Sequence, residues 1–355
     1  MAANPPSPGD ALLASLSASP DVCAQKIDFA AEKILLVGLD AAAYRSASFL
    51  DDRILSPAMR GGWVPIGAVA EALRSARAAR PVHFIFHTGH VGSTLVSRLL
   101  EETGAVLSLR EPLPLRTLAD AHDALRRSDS LLSESRFDLV LAMFMRLWGR
   151  GYDSTRCVVV KATSSTGRLA VPILERSEAS RAIYMNLRAE PYLATLLAGQ
   201  NSPTDLRGHG PERMQRLQKR VGAPLPALHT LSIGELAAMS WLAETATQRD
   251  ALARFPERIV AVDFEEFLTA IAASMERILG HFALPRDARY LSAIGASPAL
   301  TRYSKAPEYG YSPAVRAEVL RDSRRDNREE IGKGLAWIER RIRSDPVLAE
   351  LSKAV

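Results

Sequence analysis

The chain has 355 residues, of which 47% are apolar, enough to form the core of one large α/β domain or two small domains. Its 45 basic and 40 acidic side chains leave a net charge of only +5, spread along the chain, which does not indicate a nucleic-acid-binding surface. Its two cysteines, Cys23 and Cys157, have the spacing of neither a disulfide framework nor a zinc site.

The N-terminal part divides into two segments ahead of a main domain over residues 81–355. Residues 1–21 are rich in Pro, Ser and Ala and predict a loose segment, whereas residues 22–80 predict a helical or mixed extension that packs on the main domain. The N-terminus lacks a basic region followed by an apolar core, and no later run reaches about 18 uninterrupted apolar residues. We therefore expect a cytoplasmic protein without a membrane-spanning segment.

A strand and a small-residue loop open the main domain. Residues 82–86 predict a buried strand, and residues 88–94, Thr-Gly-His-Val-Gly-Ser-Thr, predict a loop before a helix that ends at Gly104. In such a loop backbone N–H groups converge on an anion, and the helix N-terminus adds partial positive charge. Phosphate or sulfate is the expected ligand. The lysine of the G-x-x-x-x-G-K-[ST] pattern is absent, however, and an ordinary strand-to-helix turn fits the same residues.

The following strands carry charged side chains close to their carboxyl ends. Strands are predicted over residues 105–109, 156–163, 181–187 and 258–262. Glu111 follows the first of them, Lys161 lies near the end of the second, and Arg188 follows the third. Because parallel strands share one carboxyl edge, where α/β sheets bind ligands, we expect these three side chains to meet there. Glu111 and Lys161 also fit ordinary surface charges.

The last part of the chain contains one lid-like stretch and one acidic motif. Residues 200–231, rich in Pro, Gly and basic side chains, predict an excursion over the site that is interpreted as a mobile lid. A long amphipathic helix is predicted over residues 236–255. Asp263 follows the last strand, as in nucleotide hydrolases, where such an aspartate helps to hold magnesium. Basic helices are predicted after Arg302.

In their order, these elements resemble the sulfotransferases, P-loop-related enzymes that move a sulfuryl group from 3'-phosphoadenosine 5'-phosphosulfate to an acceptor. FIFHTGHVGSTLVSRLL resembles the family's 5'-phosphosulfate loop, SLREP its second-strand acid, VVVKATSS its Lys-Thr-Pro segment and YMNLRAEPYLATLLAG its 3'-phosphate segment. RIVAVDFEEFLTAIAASMERILGHFALP is the most specific match, and in that family its acidic pair is structural. The resemblance spans residues 82–316. It implies a P-loop-like three-layer α/β fold, with a mainly parallel sheet of about five strands and helices on both faces.

The resemblance also implies roles for the matched residues. Glu111 would remove the acceptor proton, and Lys161 or protonated His90 would stabilise the oxygen that leaves. The implied residues that bind the sulfuryl donor are Gly89, His90, Val91, Gly92, Ser93, Thr94, Arg188, Thr195 and Lys305. His90 replaces the family's Lys or Arg, and Leu196 replaces a serine, with Thr195 one residue early. No metal is expected.

Two other functions fit the sequence. A kinase or nucleoside-triphosphate hydrolase would use the same loop with Asp263 as a magnesium ligand. The second alternative is a non-catalytic nucleotide-binding protein with a degenerate site, which His90, Val91 and Leu196 favour. Neither the acceptor, a small molecule or a peptide, nor the oligomeric state is indicated by the sequence.

Overall fold

The computed structural model describes residues 7–76, 79–222, 224–302, 310 and 312–354. Its strands are β1 (Val22–Asp28), β2 (Lys33–Gly38), β3 (Gly61–Pro65), β4 (Val82–His87), β5 (Val106–Arg110), β6 (Cys157–Lys161), β7 (Ala182–Asn186) and β8 (Ile259–Asp263). The helices before β7 are α1 (Pro8–Ser15), α2 (Ala41–Ser46), α3 (Ile66–Ala72), α4 (Ser93–Glu101), α5 (Leu113–Ala124), α6 (Glu134–Trp148) and α7 (Ala170–Arg176). The later helices are α8 (Ala189–Ala198), α9 (Ser202–Arg220), α10 (Ile233–Arg254), α11 (Phe264–Thr269), α12 (Ile271–His281), α13 (Ala288–Ala293), α14 (Pro313–Asp326) and α15 (Arg328–Ser344).

The central sheet is parallel, with the strand order β5-β6-β4-β7-β8. Its strands are apolar runs whose alternate side chains enter two separate cores. Phe84 and Phe86 pack with α5 and α6, and Ile85 packs with α4 and α10 on the opposite face. A parallel sheet covered on both faces requires such continuous apolar strands. The predicted three-layer α/β fold, with five parallel strands, is confirmed.

The N-terminal layer, residues 7–76, adds an antiparallel sheet of order β1-β2-β3 to the core around α5 and α6. The prediction of a loose segment over residues 1–21 is wrong for its described part, because residues 8–15 form α1. The Ser7 hydroxyl caps this helix by accepting from the N–H of Asp10 at 3.2 Å, and Pro8 occupies the first turn. Leu12 and Leu16 are buried against the sheet.

The stretch predicted as a lid is largely a packed helix. Residues 202–220 form α9, and Leu206, Arg213 and Leu217 are buried along its inner face, which packs on α10. These three side chains recur at helical spacing, and that pattern decides the structure despite Pro211 inside the helix. The lid interpretation is therefore wrong for residues 202–220. None of the described helices combines the length and the apolar character needed to cross a bilayer.

Helices α10 and α15 cross at a pair of glycines. A β-carbon placed on Gly334 would lie 2.6 Å from the carbonyl oxygen of Gly234, and one on Gly234 would lie 1.9 Å from the carbonyl oxygen of Glu330. Backbone atoms cannot turn away from such a contact, so the helix separation depends on both glycines. Gly332, on the same helix as Gly334, has no such neighbour within 4 Å.

We expect Gly334→Ala to lower the free energy of unfolding by about 1–3 kcal/mol, because the added methyl group overpacks the helix crossing. Gly332→Ala is the matched control. It should raise the stability by about 0.5–1 kcal/mol, since alanine favours the helix over glycine. Urea unfolding of both variants measures the difference, and equal effects would contradict the close crossing.

Candidate active site

The loop between β4 and α4 presents several groups to which the chain gives no partner. In the described part of the chain, no acceptor outside α4 itself bonds to the backbone N–H groups of Val91, Gly92, Ser93 or Thr94. The hydroxyl oxygens of Thr88 and Thr94 are buried, and no described residue bonds to them. A buried hydroxyl left unbonded costs about 1–3 kcal/mol. An oxyanion at this helix N-terminus would bond these groups, so the residues present fit such a ligand.

Two residues that sequence analysis missed hold the start of the loop. The Tyr192 hydroxyl donates to the carbonyl of Thr88 at 3.2 Å. The Nε2 of His87 bonds to the carbonyl of Ala162 at 2.8 Å, and its Nδ1 accepts from the N–H of Gly89 at 3.1 Å. Because a carbonyl only accepts, the ring carries its proton on Nε2. The N–H of Gly89 is therefore used within the protein, whereas we expected it to bind the ligand.

The backbone is strained at both proposed acid–base residues of this edge. His90 has a φ of 56° and Glu111 a φ of 53°. Side-chain-bearing residues rarely adopt this region, and such outliers concentrate at functional sites. The Val91 side chain, by contrast, is fully buried in the core, so only its backbone can face a ligand.

Glu111 and Lys161 meet at the carboxyl edge of the sheet. Arg110 pairs with Lys161 in the register of β5 and β6, which puts Glu111 just beyond the strand end. The buried ammonium of Lys161 donates to Oε1 of Glu111, and the Thr163 hydroxyl donates to Oε2 at 3.3 Å. The N–H of Glu111 donates to the Lys161 carbonyl at 2.7 Å. The pair is therefore fixed by both side chains and backbone, and its catalytic role stays a prediction.

The N-terminal layer also reaches this carboxylate. The N–H of Leu50 donates to the carbonyl of Arg110 at 2.7 Å. The Leu50 carbonyl accepts from the N–H of Leu113 at 3.2 Å. Asp51 and Arg53 follow directly. The pKa of Arg53 is raised, chiefly by its hydrogen bonds to Asp51 and further by the charge of Glu111. The sequence of this segment indicates no chemistry, because its contact with the main sheet leaves no local sequence signal.

The residues predicted to bind the 3'-phosphate differ in their surroundings. Arg188 caps the N-terminus of α8 at the end of β7; its side chain is exposed and pairs with no described residue. The Thr195 hydroxyl donates to the carbonyl of Pro191 at 2.7 Å, inside its own helix. Lys305 lies outside the described residues. Of the two described residues, Arg188 is the one whose side chain is available to an anion.

Asp263 stabilises the start of α11. Its Oδ1 accepts from the N–H of Glu265 at 2.8 Å and from the N–H of Glu266 at 3.1 Å. Such an N-cap contributes about 1 kcal/mol to the helix. This is the structural role that the sequence resemblance implies for the acidic residue after the last strand.

Several solved structures are similar to this chain. The sulfotransferase domain of the curacin biosynthetic pathway has 18% identity and a TM-score of 0.40, and the match covers 67% of this chain and 85% of that one. Sulfotransferase STF9 from Mycobacterium avium has 12% identity and a TM-score of 0.39, covering 92% and 98%. The sulfotransferase domain of the Synechococcus PCC 7002 olefin synthase has 16% identity and a TM-score of 0.38, covering 70% and 88%.

No family model and no curated protein matches the sequence. All three matched structures have TM-scores of 0.40 or below. Their identities and TM-scores are too low to carry over an activity or the role of any residue.

Gly92 is the point where the loop touches the element after β8. Its φ is 69°, and a β-carbon on it would lie 2.0 Å from a ring carbon of Phe264. Gly104 has nearly the same φ, 70°, with nothing within 4 Å of a β-carbon. Substitutions at the two glycines therefore distinguish the cost of backbone strain from the cost of steric contact.

We expect Gly104→Ala to lower the unfolding free energy by about 1–2 kcal/mol, the strain of alanine at positive φ. Gly92→Ala should lower it by about 1–3 kcal/mol more, because the Phe264 ring must also move. Thermal unfolding of both variants checks the order, and equal losses would show that Phe264 yields without cost.

Proposed function

We propose that this chain transfers a sulfuryl group from 3'-phosphoadenosine 5'-phosphosulfate to a hydroxyl or amine acceptor. The observation that carries the proposal is the buried Glu111–Lys161 pair, which lies at the same sheet edge as a loop with unbonded donors. Sulfuryl transfer resembles phosphoryl transfer, in which catalysis consists mostly of positioning and of stabilising charge on oxygen. At one sheet edge, Glu111 supplies a base, Lys161 supplies a cation and the loop supplies an anion site, which match those requirements.

The donor would bind along the carboxyl edge. The backbone N–H groups of residues 91–94, with the hydroxyls of Ser93 and Thr94, would hold the 5'-phosphosulfate. The exposed guanidinium of Arg188, at the end of the neighbouring strand, would bind the 3'-phosphate through a bidentate contact. His90, half-buried in the same loop, would face the group that is transferred.

The chemistry would divide between the paired side chains. The carboxylate of Glu111 would accept the proton of the attacking hydroxyl or amine. The ammonium of Lys161 has three N–H donors, so it can bond to Glu111 and also stabilise the bridging oxygen as the S–O bond breaks. The kinase alternative has less support, because one oxygen of Asp263 already caps a helix and the loop lacks a lysine.

Ligand preference tests this proposal. We expect adenosine 3',5'-bisphosphate to raise the melting temperature more than ATP with magnesium does, because a ligand that binds only the native state stabilises it by mass action. Arg188→Ala should weaken bisphosphate binding by about ten- to a hundredfold, through loss of one charge-assisted contact. Arg277→Ala removes another exposed arginine, remote in sequence, and should leave the affinity unchanged. A larger, magnesium-dependent shift with ATP would favour the kinase, and no shift with the bisphosphate would reject the sulfuryl donor.

The role of Glu111 has a close internal control. Glu111 and Glu101 are both 11% exposed, and each pairs with a cation that is fully buried, Lys161 and Arg110 respectively. Glu111→Gln should slow sulfate release from 3'-phosphoadenosine 5'-phosphosulfate by about a hundredfold, because the amide cannot accept a proton. Glu101→Gln should lower stability without a comparable loss of rate. Equal rates for the two variants would mean that Glu111 is only a structural counter-ion.

A further inference from the structure

A buried ionic network connects α9 and α10 beneath the site. Arg216 bonds to both oxygens of Glu244, at 2.9 Å and 3.1 Å, and the Nε of Arg213 donates to Oε1 at 2.9 Å. Burial alone would raise the pKa of Glu244, but Arg216 and Arg213 outweigh it and lower that pKa. The carboxylate is therefore ionised. Arg216 also bonds to Glu212 at 2.9 Å, so one guanidinium serves both carboxylates.

A second nitrogen of the Arg213 guanidinium donates to a residue beside the anion loop. Its Nη2 donates to the hydroxyl oxygen of Ser164 at 3.0 Å, although the Arg213 side chain is only 2% exposed. A β-carbon placed on Gly89 would lie 3.7 Å from that same Ser164 oxygen. Ser164 therefore separates a buried guanidinium from the loop that lacks the expected lysine.

The bond from Arg213 also determines what Ser164 can do. A guanidinium has no acceptor, so the Ser164 oxygen receives this hydrogen bond and its own O–H must donate elsewhere. Within the ranges that the structure describes, no carbonyl or carboxylate accepts that hydrogen. An anion oxygen held by the neighbouring loop would accept it.

We propose that Ser164 is a further anion-binding residue and that Arg213 is the residue that positions it, while also supplying positive charge beneath the loop. The inference rests on the proposed function in that the anion is the phosphosulfate group of the donor. Glu244 does not by itself require Arg213, because Arg216 already occupies both of its oxygens. The Nη2 of Arg213 is directed to Ser164, on the side of the loop where a doubly charged ligand would lie.

Calorimetric titration with adenosine 3',5'-bisphosphate, and separately with inorganic pyrophosphate, tests this pair. Arg213→Gln should weaken both affinities by about tenfold, the scale of one unit charge acting through a protein interior. Arg213→Lys, which keeps the charge, should recover most of that loss, and Ser164→Ala should weaken binding by about three- to tenfold. Arg220→Gln is the matched control. It removes a charge from the same helix, where Arg220 pairs with Asp250, and should leave both affinities unchanged.

A purely structural role predicts a different result. If Arg213 acts through Ser164, Ser164→Ala should cost little further affinity in the Arg213→Gln background, and this coupling is measured by a double-mutant cycle. Unchanged affinity in Ser164→Ala, with normal binding by the wild type, would overturn the inference and leave the proposed function standing. Ser164→Ala also carries the test if Arg213→Gln does not fold. Pyrophosphate binding that depends on Arg213, without bisphosphate binding, would support the anion-binding roles of Ser164 and Arg213 and reject the sulfuryl donor. Failure of the wild type to bind either anion would overturn both proposals.

Discussion

Two buried cations lie side by side at the carboxyl edge of the central sheet, and both must be paired. Arg110 and Lys161 are opposite each other on β5 and β6, and neither is exposed. Charges removed from water are tolerated only when they are paired and hydrogen-bonded. Arg110 meets this requirement through Glu101 on α4, and Lys161 meets it through Glu111. The need to pair these cations therefore fixes both the helix that carries the anion loop and the candidate catalytic carboxylate.

The same arginine joins the N-terminal layer to the site. Arg110 donates to the carbonyls of Tyr44 at 3.1 Å and Ala47 at 2.9 Å, and to the Ser97 hydroxyl at 3.1 Å. Its five N–H donors thus connect the end of β5 to α4, to α2 and to the residue after α2. The backbone of Leu50 also bonds to the chain on both sides of Glu111. The N-terminal layer, whose sequence indicates no chemistry, therefore helps to hold the site in place.

The sequence predicted what local pattern determines and missed what tertiary contacts determine. The five strands of the main sheet were predictable because parallel strands are continuous apolar runs. Glu111, Lys161 and Arg188 were proposed as site residues because they lie at or just after the ends of those runs. Helix α9 was missed because its Pro and Gly content suggested a loop, although Leu206 and Leu217 have helical spacing. Arg213 occupies an inward position of that pattern, and this is the signal by which it could have been recognised. The links from His87 to Gly89 and from Arg213 to Ser164 join distant segments and leave no such signal.

The backbone conformation of Glu111 depends on the hydrogen bonds around it, and it determines where the proposed catalytic carboxylate lies. Its φ of 53° lies in the left-handed region, yet the next residue is Pro112, which favours an extended conformation in the residue before it. Such strain amounts to about 1–3 kcal/mol and persists only where surrounding bonds enforce it. Here the enforcing bonds are the Glu111 N–H to the Lys161 carbonyl and the contacts of Leu50 on either side. The turn that they hold brings the carboxylate to the Lys161 ammonium. A conflict between local preference and observed backbone is expected at a functional site, and here it coincides with the residue proposed to move the proton.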